Sequence, residues 1–246
     1  LFVEGKDFQV LSRFARKMKR NQVANRSDFA VIPVEGFNPA KVRDFTQGME
    51  TTLGAKVLSG VIFDRDYRSS DECNKELAYL KKFTVFARIH ERKELENFLF
   101  VPGPLRCAIE RKLAEQNRRT GEKVVFAEDI DEILENVTAP MRHKIEARYL
   151  ARRRPFEKIK TPSLDESTID EKLMTEFDGL WQDRQKRFLI APGKEVLAGL
   201  NTYLQNSYGI TISASFIVDC FQNEEIPQEM TDLIEQIEEF RKVPIE

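Results

Sequence analysis

Histidine is scarce in this sequence, with only His90 and His143 among 246 residues. That scarcity argues against a multi-histidine metal centre or a paired-histidine phosphodiesterase mechanism, so any metal chemistry must rest on carboxylates. Cysteine is nearly as rare: Cys73, Cys107 and Cys220 lie far apart with no Cys-x-x-Cys pairing. The pattern suggests neither a disulfide framework nor a structural zinc site, and it suits a reducing cytoplasm. No apolar run approaches the roughly 18 residues that span a bilayer, so no membrane association is expected. The chain opens on Leu1-Phe2-Val3 without an initiator Met, a basic leader or a cleavable apolar segment, and the expectation is a piece of a longer protein. An excess of one charge is also missing. Lys and Arg number 39 against 41 Asp and Glu, a net charge of -2, which excludes a polycation that coats nucleic acid. DNA binding would need local basic patches, and the candidates are the runs 16–20 (RKMKR), 152–154 (RRR) and 184–187 (RQKR), although any single such run is more often a solvated helix face.

What is present fits a folded α/β protein. Hydrophobic residues make up 41% of the chain, enough for a sizeable core. Short apolar segments at 1–3, 30–34, 57–63 and 84–89 alternate with helical patterns near 10–18, 39–53 and 73–82, which predicts a mostly parallel sheet flanked by helices. After Pro102-Gly103-Pro104 the sequence becomes long, charged and helix-favouring through Arg152, with a break at Gly121. The expected division is an α/β core over 1–103, a helical insertion or lobe over 104–187, and a return segment over 188–246 that ends in an amphipathic helix from about Pro227 to Phe240. The stretch 154–168, with Pro155 and Pro162, reads as an exposed loop.

Three acidic motifs follow predicted strands. In Val3-Glu4-Gly5-Lys6-Asp7 an acid closes an apolar strand and glycine permits a tight turn into a helix. Glu4 would then stand at the carboxyl end of a strand, the edge at which open α/β sheets bind ligands. In Val61-Ile62-Phe63-Asp64-Arg65-Asp66 a second strand ends in two carboxylates. In extended backbone residues two apart point the same way, so Asp64 and Asp66 can converge on one hard cation, and Glu4 on a neighbouring strand can join them. Mg²⁺ favours such a set, keeping several positions for water and phosphate. The third motif, His90 to Leu99, packs acids and bases into a few residues. Its spacing alone favours a solvated helix start with intrahelical ion pairs, the alternative being a metal ligand at Glu94 or Glu96.

The order VEGKD, FDRD and RKELENFL resembles the Toprim domain of OLD (overcoming lysogenization defect) family nucleases. The resemblance covers about residues 1 to 100 and, more loosely, 188 to 197. It implies a Toprim-type α/β fold with an additional helical lobe, and metal-ligand roles for Glu4, Asp64 and Asp66. The segment ending in Glu94-Leu95-Glu96-Asn97-Phe98-Leu99 is similar to the OLD branch in particular and implies a ligand at Glu94 or Glu96. Ala191-Pro192-Gly193-Lys194 resembles another OLD-branch motif, in which the lysine, here Lys194, stabilises the phosphoryl transition state. Chemistry alone makes Lys194 a cation at a helix start, a poor place unless an anion is near. One departure concerns Asp7: many Toprim proteins place the second acid of the first motif four residues after the glutamate, where this chain has Phe8. Asp7 is therefore the weaker ligand candidate.

The resemblance implies a DNA endonuclease using Mg²⁺ or Mn²⁺, with two ions hydrolysing a phosphodiester. It also implies a full-length homodimer with an ATPase domain ahead of this region. The chain itself has no Gly-x-x-x-x-Gly-Lys-Ser/Thr loop, so no ATP site is expected in it. Two rival functions stand beside this one: topoisomerase-like cleavage through a covalent tyrosine link, for which Tyr67 is the nearest residue, and a catalytically silent module that binds nucleic acid or a protein.

Overall fold

The computed structural model describes residues 1–244. In chain order its elements are β1 (Phe2–Glu4), α1 (Phe8–Lys17), α2 (Asn21–Asn25), β2 (Ile32–Val34), α3 (Pro39–Leu53), β3 (Gly60–Phe63), α4 (Ser70–Leu80) and β4 (Phe86–Ile89). A short 3₁₀ turn over Leu95–Leu99 precedes α5 (Pro102–Thr120), α6 (Ile130–Thr138), α7 (Arg142–Lys160), α8 (Glu166–Gln182) and α9 (Arg184–Ile190). The chain then forms α10 (Gly193–Tyr208), α11 (Ala214–Cys220) and α12 (Gln228–Phe240). The four strands make one all-parallel sheet of order β2-β1-β3-β4, so the expected α/β class with a mostly parallel sheet holds. Among the described residues no helix is long and apolar enough to cross a membrane.

The chain divides into two compact units, the first formed by 1–65, 70–91 and the segment from Gln222 onward, the second by 66–69 and 92–221. These borders differ from the division drawn on sequence. The border between the units falls at 92 and again at 222, where the sequence division was drawn at 104 and 188. In the sheet unit Phe2, Val34, Val61, Phe63 and Ile89 pack with Val42 and Leu80 from the covering helices. Residues of β3 are buried throughout, as expected for a strand covered on both faces. The return of α12 is fixed by the Phe240 ring, stacked on Phe86 at 5.9 Å, and by Arg20–Glu235 and Arg241–Asp28 ion pairs of 2.7 and 2.5 Å.

The helical unit corrects the loop expected at 154–168. Helix α7 continues through Pro155 to Lys160, and α8 starts at Glu166, with the Asp165 carboxylate accepting from the Thr168 N–H. Proline within a helix forfeits a hydrogen bond and crowds the preceding turn, at a cost of about 3 kcal/mol. The compensation is the packing of α7 on α8: Ile145 and Tyr149 join Ile169, Leu173, Phe177 and Trp181 in one buried cluster. Ion pairs flank the proline on either side, Arg154–Asp170 at 2.7 Å and Lys172–Glu157 at 2.7 Å.

Candidate functional site

In the sheet unit, Glu4 is the last residue of β1 and Asp64 directly follows the last residue of β3. These strands are parallel neighbours, with Val3 in register with Ile62, so both acids stand at the carboxyl edge of the sheet. The turn after Glu4 depends on Gly5, whose φ of +48° lies in the left-handed region and whose N–H donates to Val34 O at 3.1 Å. The Asp7 N–H closes the turn on Glu4 O at 3.1 Å, and the Asp7 carbonyl accepts from the Val10 and Leu11 N–H groups of α1. Asp7 is buried, yet its carboxylate caps no helix N–H. Phe8, at the position where the family pattern has an acid, is buried with its ring edge-on to Phe29 at 5.9 Å. It is a core residue, which leaves that position without a ligand. Asp64 is 3% exposed.

The backbone after β3 does not carry the strand alternation onward. The strand ends at Phe63, and Asp66 adopts a left-handed φ of +51°. The rule that residues two apart share a direction therefore does not extend to Asp64 and Asp66. Aspartate tolerates this conformation better than most residues, which explains its occurrence there.

In the helical unit, Asp66 and the segment 92–97 form a buried polar knot. Lys93 and Glu94 are almost fully buried and Asn97 is inaccessible, which overturns the reading of this motif as a solvated helix start. The Lys93 ammonium forms an ion pair with Glu94 and lies 3.7 Å from Asp66 Oδ1, so one cation bridges two carboxylates. Arg68 adds a hydrogen bond to Asp66 Oδ2 at 3.1 Å. Glu94 caps the 3₁₀ turn: its N–H donates to Asn97 Oδ1 at 2.9 Å, and the carboxylate accepts from the Asn97 backbone in return. Its Oε2 also accepts from the Lys194 N–H at 2.9 Å, at the start of α10. Asn97 Nδ2 donates to Ala191 O at 2.9 Å, and Lys93 N donates to Leu189 O at 2.8 Å. These bonds stitch the turn to the α9–α10 junction, where Gly193 is obligatory: a Cβ there would lie 2.9 Å from Asn97 N and from Glu96 Cβ.

Glu96 differs from its neighbours. Its Oε2 is buried and accepts no hydrogen bond, and Lys194 Nζ lies 3.9 Å away. Burial pushes the Glu96 carboxyl above the usual carboxylate range, and the Lys194 charge opposes that rise. Lys194 thus starts α10 with Glu94 on its N–H and Glu96 beside its ammonium, so protein carboxylates already answer the misfit noted from sequence. The neighbouring Glu195 is held by Lys144 at 2.8 Å and Arg148 at 2.7 Å.

The carboxylate chemistry suits a hard divalent cation, and the buried, unbonded Glu96 Oε2 is the atom of the helical unit most in need of one. Among the described residues, however, no three His, Cys, Asp or Glu side chains are grouped to hold a metal. Asp66 and Glu94 are instead neutralised by Lys93. Sequence reasoning missed Lys93, Asn97 and Gly193; the Glu-x-x-Asn spacing is the reciprocal capping signal that could have shown 94–97 to be a buried turn. Tyr67, the candidate for a covalent link to DNA, is buried with its ring edge-on to Tyr149 at 6.2 Å, and burial pushes its hydroxyl well above the usual phenol range. The basic runs are largely consumed internally: Arg153 pairs with Glu176, Arg154 with Asp170, Arg187 with Glu135 and Arg20 with Glu235. No family model, curated protein or solved structure matches the chain.

Proposed function

We propose that this chain is the Toprim-type catalytic region of a metal-dependent DNA endonuclease of the OLD kind. The observation that carries the reading is the position of Glu4 and Asp64 at the carboxyl edge of adjacent parallel strands, the edge at which such sheets bind ligands. Glu4 and Asp64 in the sheet unit would hold divalent cations, with Asp7 a weaker candidate; in the helical unit the candidate is Glu96, because Lys93 neutralises Asp66 and Glu94. When bound, two Mg²⁺ or Mn²⁺ ions supply acidification of the attacking water and neutralisation of the leaving oxygen. Lys194 contributes positive charge to the phosphoryl transition state. The Glu94 carboxylate and Asn97 amide fix the backbone from which that lysine projects. The DNA substrate, the cytoplasmic location and a dimeric parent protein with its own ATPase domain belong to the same reading.

Incubation of supercoiled plasmid with Mg²⁺, Mn²⁺ or EDTA tests it. Metal-dependent conversion to nicked and linear DNA, abolished by Asp64→Ala and by Glu4→Ala, is the expected result; cleavage that survives both substitutions overturns the assignment. The Lys93 bridge between Asp66 and Glu94 favours one rival, a catalytically silent module whose acids serve structure. That rival predicts no cleavage by a folded wild-type protein.

A further inference from the structure

We infer that the sheet unit carries a phosphate-anchoring groove for the DNA backbone, formed by the β1–α1 turn, one face of α1, the end of α2 and the start of β2. The choice of DNA as the polyanion rests on the nuclease reading; the residues lie outside its carboxylate set. The groove encloses about 550 Å³ and is lined by three cations, Lys6, Arg16 and Arg26, with Ser12 and Asn25 as neutral polar groups and no acid. All three cations are exposed, and none forms an ion pair among the described residues. Arg20 and Arg241 of the same unit, by contrast, are matched to Glu235, Asp28 and Glu238.

Helix dipoles explain part of this arrangement and leave the rest. Arg16 lies in the last turn of α1 and Arg26 caps the end of α2, both favourable places for a cation. Lys6 lies just ahead of α1, where the dipole disfavours positive charge. Three like charges around one cavity repel each other, and a bound anion turns that repulsion into attraction. A run of phosphodiesters fits better than a single small anion because the groove is open and spreads its cations over two helices and a turn. Lys6 is two residues from Glu4, so a backbone held here leads to the carboxylate edge. Phosphate contacts fix position and carry no sequence information. The groove therefore binds duplexes of different sequence alike.

The test is anisotropy of a short labelled duplex with the full chain in EDTA, where no cleavage occurs, titrated over salt. The variant Lys6→Gln/Arg16→Gln/Arg26→Gln is compared with the equally charged control Lys41→Gln/Lys75→Gln/Lys123→Gln, all exposed positions outside the groove. The groove variant is expected to raise Kd at least tenfold and to reduce the log–log salt slope by about 2–3, at about 0.9 per phosphate contact. The single variant Lys6→Gln, with unchanged melting, should reduce the slope by about 1. Equal binding by groove and control variants, or no binding by the wild type, overturns the inference. Groove-dependent binding without plasmid cleavage by the wild type leaves the groove standing and removes the catalytic reading; cleavage with an unaltered groove variant does the reverse.

Discussion

Glu94 and Lys194 meet across a hundred residues of chain, the N–H of Lys194 donating to Glu94 Oε2 at 2.9 Å. The bond ties the buried Lys93–Glu94 pair to the N-terminus of α10, whose dipole favours a carboxylate there. It depends on close approach at the residue before it.

Gly193→Ala tests that approach. The new Cβ would meet Asn97 N at 2.9 Å, and backbone cannot yield as a flexible side-chain tip can. The expected cost is about 1–3 kcal/mol, as for other insertions into packed sites. Thermal melting should fall accordingly, and cleavage should fall with it at temperatures where the variant remains folded. An unchanged melting temperature would show that the α9–α10 junction shifts freely and that the knot is loose.

Lys194→Ala separates chemistry from architecture. The side chain is 59% exposed, so its removal empties no core, while its N–H still caps onto Glu94. If the ammonium acts on the transition state, kcat falls by about 10²–10³ with little change in KM or melting temperature. A fall in stability with unchanged kcat would make the residue merely a partner for Glu96.

The sheet unit was largely legible because its signals are local. Helix α3 has the expected bounds, Pro39–Leu53, since Asn38 accepts from the Lys41 N–H, proline occupies the first turn and Gly54 closes it at φ +63°. The acids at the ends of β1 and β3 could be read for the same reason: an apolar run followed by an acid and a turn is a short-range pattern. The helical unit was less legible. Helix α7 passes through Pro155 because it packs along α8, with the Arg154–Asp170 and Glu157–Lys172 pairs joining the two helices beside the proline, which spacing along one helix does not reveal. The Lys93 bridge depends on Asp66, whose left-handed backbone also breaks the alternation assumed for Asp64 and Asp66. Such features depend on partners distant in sequence.

Acid stability should depend on Glu238 in the sheet unit. Hydrogen bonding from Arg241, helped by Lys242, holds its carboxyl down at about 2, below the about 4.3 of an unfolded glutamate. A depressed folded-state value means that the stabilisation is complete above about 4.3 and is lost as pH falls through about 2. Glu238→Gln should lower the melting temperature at neutral pH by about 2–4 °C, corresponding to about 1 kcal/mol. The gap between variant and wild type should close as pH falls from about 4.3 to about 2. A gap of equal size at both ends of that window would assign the loss to packing.

Cys107 of α5 and Cys220 of α11, although 113 positions apart, influence each other electrostatically, and Arg111 Nη1 donates to Cys220 Sγ at 3.5 Å. Burial, followed by the influence of Cys220, pushes the Cys107 thiol above its ordinary range. The thiolate is the nucleophile, so a raised value reduces the reactive fraction at mildly alkaline pH. Alkylation of Cys107 by iodoacetamide, followed by peptide mass spectrometry, should show a rate profile rising at higher pH than that of a free thiol. Cys220→Ala removes the neighbouring sulfur, and should move the profile towards lower pH and speed the reaction severalfold at pH about 8. A native Cys107 that reacts with the profile of a free thiol would mean that neither burial nor Cys220 acts on its thiol.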